Sequence, residues 1–269
     1  MIRLALAYLK NRALVTGFSI ALIALGVASL AVLLLVTTQL EQRFARDSAG
    51  IDLVVGAKGS PLQLILSSVY HVDTPTGNVP LASLSLLQGD PGVERAVPLA
   101  LGDSFMGARL VGTTADFLQF HDAELASGRV FAATGEVVLG ADAARRTGLG
   151  LGSRFTGTHG VGADSSAHDH SPLIVVGLLK PTGTVTDRLI LTPVESIWRM
   201  HGIEAPGPDH SEAAHGHKDH AILDPRDGPQ AEITAILVTY RNVMAAMRLP
   251  GAINRETALQ AASPAVETA

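Results

Sequence analysis

The sequence predicts an α+β protein with one membrane-crossing helix at its N-terminus and a mixed domain beyond it. Three observations carry this. No charged side chain occurs between Arg12 and Glu41. After Asp47, short strand-like and helix-like runs alternate. Glycine and proline turns separate those runs without a regular βαβ rhythm, which favours α+β over a parallel doubly wound sheet.

The apolar segment is Ala13–Thr38, ALVTGFSIALIALGVASLAVLLLVTT. As a helix it spans roughly 39 Å, more than the ~30 Å hydrocarbon layer of a bilayer. It is also longer than the apolar region of a cleavable signal peptide. Arg3, Lys10 and Arg12 precede it, whereas Glu41, Arg43, Arg46 and Asp47 follow as a mixed set. That asymmetry places the N-terminus in the cytosol and the main domain outside it. Gly17, Gly26 and Ser29 are small residues, common in such helices and no specific packing motif.

Composition narrows the function classes. Hydrophobic residues make up 47% of the 269 residues and aromatics only 4%, so aliphatic packing builds the core. The formal net charge of −5 argues against nucleic acid as a partner, since phosphate neutralisation needs a Lys/Arg surplus. There are no cysteines, which removes disulfides, thiolate metal sites and cysteine nucleophiles.

The outer elements follow in order. Ile51–Val55 is a short apolar strand ended by Gly56. Pro61 opens a helix through Ser68, because its missing donor would be orphaned in the first turn anyway. Leu81–Leu87 is helical and stops at Gly89-Asp90-Pro91-Gly92. Val93–Leu101 and Ala108–Gly112 are strands, and Thr114 is placed to cap a helix Ala115–Phe120. Glu136–Leu139 is a strand and Ala141–Thr147 a helix, with Gly148 as its C-cap. Leu173–Leu179 reads as a buried strand, Arg188–Leu191 as another, and Pro193 opens a helix Val194–His201. Gly202–Gln230 reads as a long loop. Ile233–Tyr240 is a strand, and a short helix Asn242–Met247 follows.

The succession of segments is more specific than any one of them. It runs IDLVVG (Ile51–Gly56), PGVERAVPLALGDSF (Pro91–Phe105), RLVGTTADF (Arg109–Phe117) and SGRVF (Ser127–Phe131). EVVLGADAARRTGLGLGSRF (Glu136–Phe155) and LIVVGLLKPTGTVTDRLILTPVESI (Leu173–Ile197) complete it. Following one apolar helix, this order resembles the permease subunits of MacB/FtsX-type ABC transporters, over about Met1–Tyr240.

The resemblance implies a periplasmic porter-like α/β unit with an inserted small β-rich subdomain. Carried over, residues 1–47 are the cytosolic N-terminus and the membrane helix. Residues 48–113 and 231–269 are the two parts of the porter-like unit, and 114–230 is the insertion with its His-rich loop. It further implies a non-catalytic subunit of the bacterial inner membrane, in contact with membrane lipid. Such a subunit forms a homodimer and pairs with a cytosolic ABC ATPase, for export or for lipid- or metal-related envelope transport. Members of that family carry three more membrane helices after the outer domain. This chain shows no second apolar span, so it is expected to be part of a longer permease.

Six of the ten histidines fall in two tracts, His168 and His170, then His210, His215, His217 and His220. Neutral imidazole is the commonest metal ligand, and this spacing in a loop can converge on Zn²⁺. A membrane-tethered zinc-binding protein is therefore the alternative from the binding class. His210–His215 is not a metalloprotease motif, since the histidines are five apart and Glu212 does not directly follow the first. Gly102-Asp103-Ser104-Phe105 has the look of a hydrolase nucleophile block, making a tethered serine hydrolase acting through Ser104 the third reading. The bland reading there is a strand end and a turn. Gly148-Leu149-Gly150-Leu151-Gly152 follows a predicted helix and does not fit a dinucleotide loop. No Walker A sequence is present.

Overall fold

The computed structural model describes residues 12–159, 172–203 and 231–267. The chain divides into two compact units, Met1–Arg46 and Asp47–Ala269. The first is built on one helix, α1 (Ala13–Asp47), none of whose residues is buried. It is long and apolar enough to cross a membrane.

The second unit begins with β1 (Leu53–Ala57), α2 (Pro61–Ser68), β2 (Val79–Pro80), α3 (Ala82–Gln88) and β3 (Val93–Leu99). β4 (Asp103–Phe105) and β5 (Ala108–Thr113) form a hairpin, followed by a 3₁₀ helix (Ala115–His121) and β6 (Leu125–Gly128). Then come β7 (Glu136–Leu139), α4 (Ala141–Thr147), β8 (Arg154–Phe155), β9 (Thr158–His159) and β10 (Leu173–Leu179). A second 3₁₀ helix (Val185–Arg188) precedes β11 (Leu189–Pro193) and α5 (Val194–Met200). β12 (Glu232–Ile233), β13 (Ala235–Tyr240), α6 (Val243–Glu256), β14 (Leu259–Ala262) and α7 (Pro264–Glu267) complete it.

Local chemistry explains several boundaries. The Ser60 side chain accepts from the Gln63 N–H and Pro61 stands in the first turn of α2. Gly148 closes α4 in the left-handed region at φ 69°. The Asn242 side chain caps α6 by accepting from the Ala245 N–H. Two expectations differ. Thr114 stands at the cap position but its side chain makes no cap bond, and the turn that follows is 3₁₀, not α. The helix after Asn242 runs past Pro250 to Glu256 because Ala245, Leu249 and Ile253, four residues apart, bury one continuous face.

Two main sheets result. The smaller has the order β14-β1-β13-β3 and every pairing is antiparallel. The larger runs β6-β10-β7-β11-β5-β4-β9, with β10–β7 and β11–β5 parallel. β4 and β5 thus lie in the larger sheet, upstream of the subdomain boundary expected at residue 114. A bridge between Ala100 and Gly112 joins the sheets, with N–H···O distances of 2.8 and 2.9 Å.

Strand alternation sends neighbouring residues to opposite faces. Leu53 and Val55 pack with Leu110, Val137 and Ile190 beneath α5 and α6, through Ile197, Trp198 and Leu249. Val54, Val97 and Leu237 pack with Val111, Val138 and Leu191 on the other face, beneath Leu64, Ile65 and Phe117. Both apolar layers therefore run across both sheets.

Candidate functional site

The outer unit starts at Asp47, covalently continuous with the apolar helix, and its first six residues are tied down at several points. The Asp47 Oδ1 accepts from the Val185 N–H at 2.7 Å. The Gly50 carbonyl accepts from Thr239 Oγ1 at 2.7 Å. Asp52 is bonded three ways. Its N–H donates to the Val238 carbonyl at 3.0 Å, its Oδ2 accepts from the Tyr240 N–H at 2.7 Å, and its carbonyl accepts from Ser263 Oγ at 3.1 Å. Burial, and then the Asp52 charge, push the Tyr240 hydroxyl up to about 12. Gly50 has φ 75°, and a Cβ there would meet the Phe120 ring at 3.5 Å.

Asp47 reaches a segment that is itself rigidly built. Between β10 and β11 the chain turns through Thr182-Gly183-Thr184, and the buried Asp187 carboxylate closes the turn. Oδ1 accepts from the Thr182 N–H at 2.8 Å and from its hydroxyl at 2.9 Å, while Oδ2 accepts from the Gly183 N–H at 2.8 Å. Residues 47–52 thus hold the connection preceding β11 in the larger sheet, and β13 and the start of α7 beside the smaller one. This is a junction of hydrogen bonds from the start of the outer unit to elements of both sheets. No local motif marks it in the sequence, since Asp47 ends α1 and Asp52 stands alone just before β1.

The residues singled out in sequence divide differently. His168, His170, His210, His215, His217 and His220 all lie outside the described residues. Among the described residues, no group of three or more His, Asp or Glu could hold a metal ion. Ser104 is buried in the middle of β4. The side chain of Asp103 points to the opposite face, where its Oδ2 lies 2.8 Å from Nε2 of His201. That imidazole is engaged away from Ser104, so the two are not aligned as nucleophile and base. The Asp103–His201 pair instead ties β4 to the end of α5.

A family model described as the MacB-like periplasmic core domain matches residues 16–243, most of the chain. The chain belongs to that family. Its members are non-catalytic components of ABC transporters whose ATPase sits in a separate cytosolic subunit. The MacB-like chain is accordingly a permease component, a periplasmic domain of a membrane transporter, and not an enzyme. Among solved structures it is similar to the periplasmic region of MacB from Actinobacillus actinomycetemcomitans. The identity is 13% and the TM-score 0.49, covering 81% of this chain and 92% of that one. It is also similar to the extracellular domain of the noncanonic ABC-type transporter YknZ from Gram-positive bacteria. There the identity is 14% and the TM-score 0.43, covering 78% and 98%. No curated protein matches it.

Proposed function

We propose that the chain couples the motion of a partner ABC ATPase in the cytosol to its own outer domain, for export or envelope transport. In this reading the apolar helix crosses the inner membrane with its N-terminus in the cytosol, two copies act together, and lipid surrounds the helix. The observation that carries it is the junction at residues 47–52. A displacement of the chain at Asp47 reaches elements of both sheets through short hydrogen bonds rather than through a slack linker.

The test uses the natural reading frame containing this chain, co-expressed with any ABC ATPase encoded beside it. Co-purification and a change in ATP hydrolysis on assembly in nanodiscs are expected. An ATPase that neither binds the permease nor responds to it would overturn the proposal. Orientation is tested separately on the cysteine-free background. A membrane-impermeant maleimide should label Leu86→Cys from the periplasm and leave Arg12→Cys unlabelled.

A second reading rests on the six clustered histidines. We propose that they take up Zn²⁺ as the transporter's cargo or signal. Calorimetry with zinc on the outer region should give heat that disappears when His215, His217 and His220 are changed to Ala. No heat in the native protein would sink it.

A further inference from the structure

A cavity of 180 Å³ in the outer unit is lined by His71, Val72, Gly107, Arg109, Arg146, Val185, Arg188 and Leu189. Three arginines from separate elements converge on it. Arg109 comes from β5, Arg146 from α4 and Arg188 from the 3₁₀ helix before β11. None of the three makes an ion pair or a side-chain hydrogen bond among the described residues. Arg146 and Arg188 are exposed and water can serve them. Arg109 is partly buried, and its desolvation pulls its pKa down.

His71 is the decisive residue. It is only 7% exposed, and neither ring nitrogen has a hydrogen-bond partner. Buried imidazoles are normally satisfied, and an exception calls for a reason. Its backbone stands at φ 53°, in the left-handed region that non-glycine residues seldom occupy and that clusters at ligand sites. Burial, then the charges of Arg109, His121 and Arg188, hold its pKa at about 3, so the ring is neutral and offers one N–H. The acid whose charge acts on Arg109 is Asp73, which leaves the lining with an excess of positive charge.

A bland account treats the arginines as solvated surface and His71 as packing. It leaves a buried ring with two idle nitrogens facing a cavity rimmed by unpaired guanidinium groups. A small oxyanion resolves both, accepting from the arginine forks and from the His71 N–H. The volume far exceeds what one water needs and is below the roughly 300 Å³ at which pockets for drug-sized ligands begin.

We propose that the cavity bounded by His71, Arg109, Arg146 and Arg188 binds a phosphate-type oxyanion, either free phosphate or the phosphate group of a lipid. The site does not depend on zinc, and it adjoins the junction at residues 47–52, since Val185 lines the cavity and its N–H donates to Asp47 Oδ1.

The test is thermal unfolding of the full chain in dodecyl maltoside, titrated with inorganic phosphate at constant ionic strength set by chloride. At a tenfold excess over the dissociation constant the midpoint should rise by roughly 3–5 °C. The rise should vanish in Arg146→Ala/Arg188→Ala. Both of those side chains are exposed, so the variant's midpoint without phosphate stays near that of the parent. Arg188→Lys should keep a reduced response and His71→Asn should weaken it. An equal rise in the double variant, or one reproduced by chloride, would overturn the site. Dihexanoyl phosphatidate separates the two sources. Protection at a concentration ten times lower than phosphate assigns the lipid phosphate, and equal potency assigns the free anion. No response to either ligand refutes the proposal.

Discussion

The two main sheets are assembled in opposite ways. The smaller gathers strands from far apart in the chain, β1 and β3 near its start and β13 and β14 near its end. The larger draws all its strands from residues 103–193. On chain connectivity alone, they would be separate bodies. The core contradicts that division, since each apolar layer contains residues of both sheets. The sheets differ in hydrogen bonding but share their packing, so a strain on one is felt by the other.

The most severe way to break this is a clash where the larger sheet meets the Asp187 turn. A Cβ at Gly140 would stand 2.2 Å from the Thr186 carbonyl oxygen and 2.5 Å from that of Asp187. Gly140→Ala should destabilise by at least about 3 kcal/mol, through backbone contacts that cannot move aside. In the smaller sheet, Leu237 is fully buried, and Leu237→Ala should lose about 2–5 kcal/mol in a denaturant melt. If the core is shared, probes in both sheets report the same new midpoint for each variant. Separate midpoints would restore the two-body picture. Asp187→Ala strands two backbone N–H groups and a hydroxyl, and should lose about 2 kcal/mol.

The remaining effects are pH-dependent and fall at different places. His71 and His121 have pKa values lowered by burial to about 3 and about 4, below the ordinary 6.5. The unfolded chain therefore binds protons first. The stability of these neutral histidines is full above pH 6.5 and is lost as pH falls towards 3. His71→Asn should flatten the upper part of that acid limb. Glu136 is held at about 2, chiefly by hydrogen bonds from Arg129 and then by the Ala132 N–H. Its contribution is present above pH 4.5 and is lost between 4.5 and 2, so Glu136→Gln should alter only this lower range.

The elements legible in sequence were those with local causes. Leu173–Leu179 announces itself as an apolar run, Pro61 starts a helix and Gly148 ends one. β14 was not legible, because Leu-Gln-Ala-Ala has little strand character and forms only where β1 offers an edge. The reach of α6 past Pro250 is likewise decided by burial. In the junction, Asp47 and Asp52 are bonded to residues more than a hundred positions away, which no local pattern encodes. The arginine cavity is hidden for the same reason, since its four polar residues come from four separate stretches of chain.

In the proposed coupling, motion entering at Asp47 is carried to the outer domain by the bonds at residues 47–52. The direct measurement places a spin label at Leu86→Cys, an exposed position in a cysteine-free chain. The distance between labels on two copies is then followed by pulsed spectroscopy, with the partner ATPase in nanodiscs, with and without a non-hydrolysable ATP analogue. A nucleotide-dependent shift is expected that Asp47→Ala/Asp52→Ala removes, while the outer domain stays folded and the ATPase stays bound. The same shift in the double variant would contradict it.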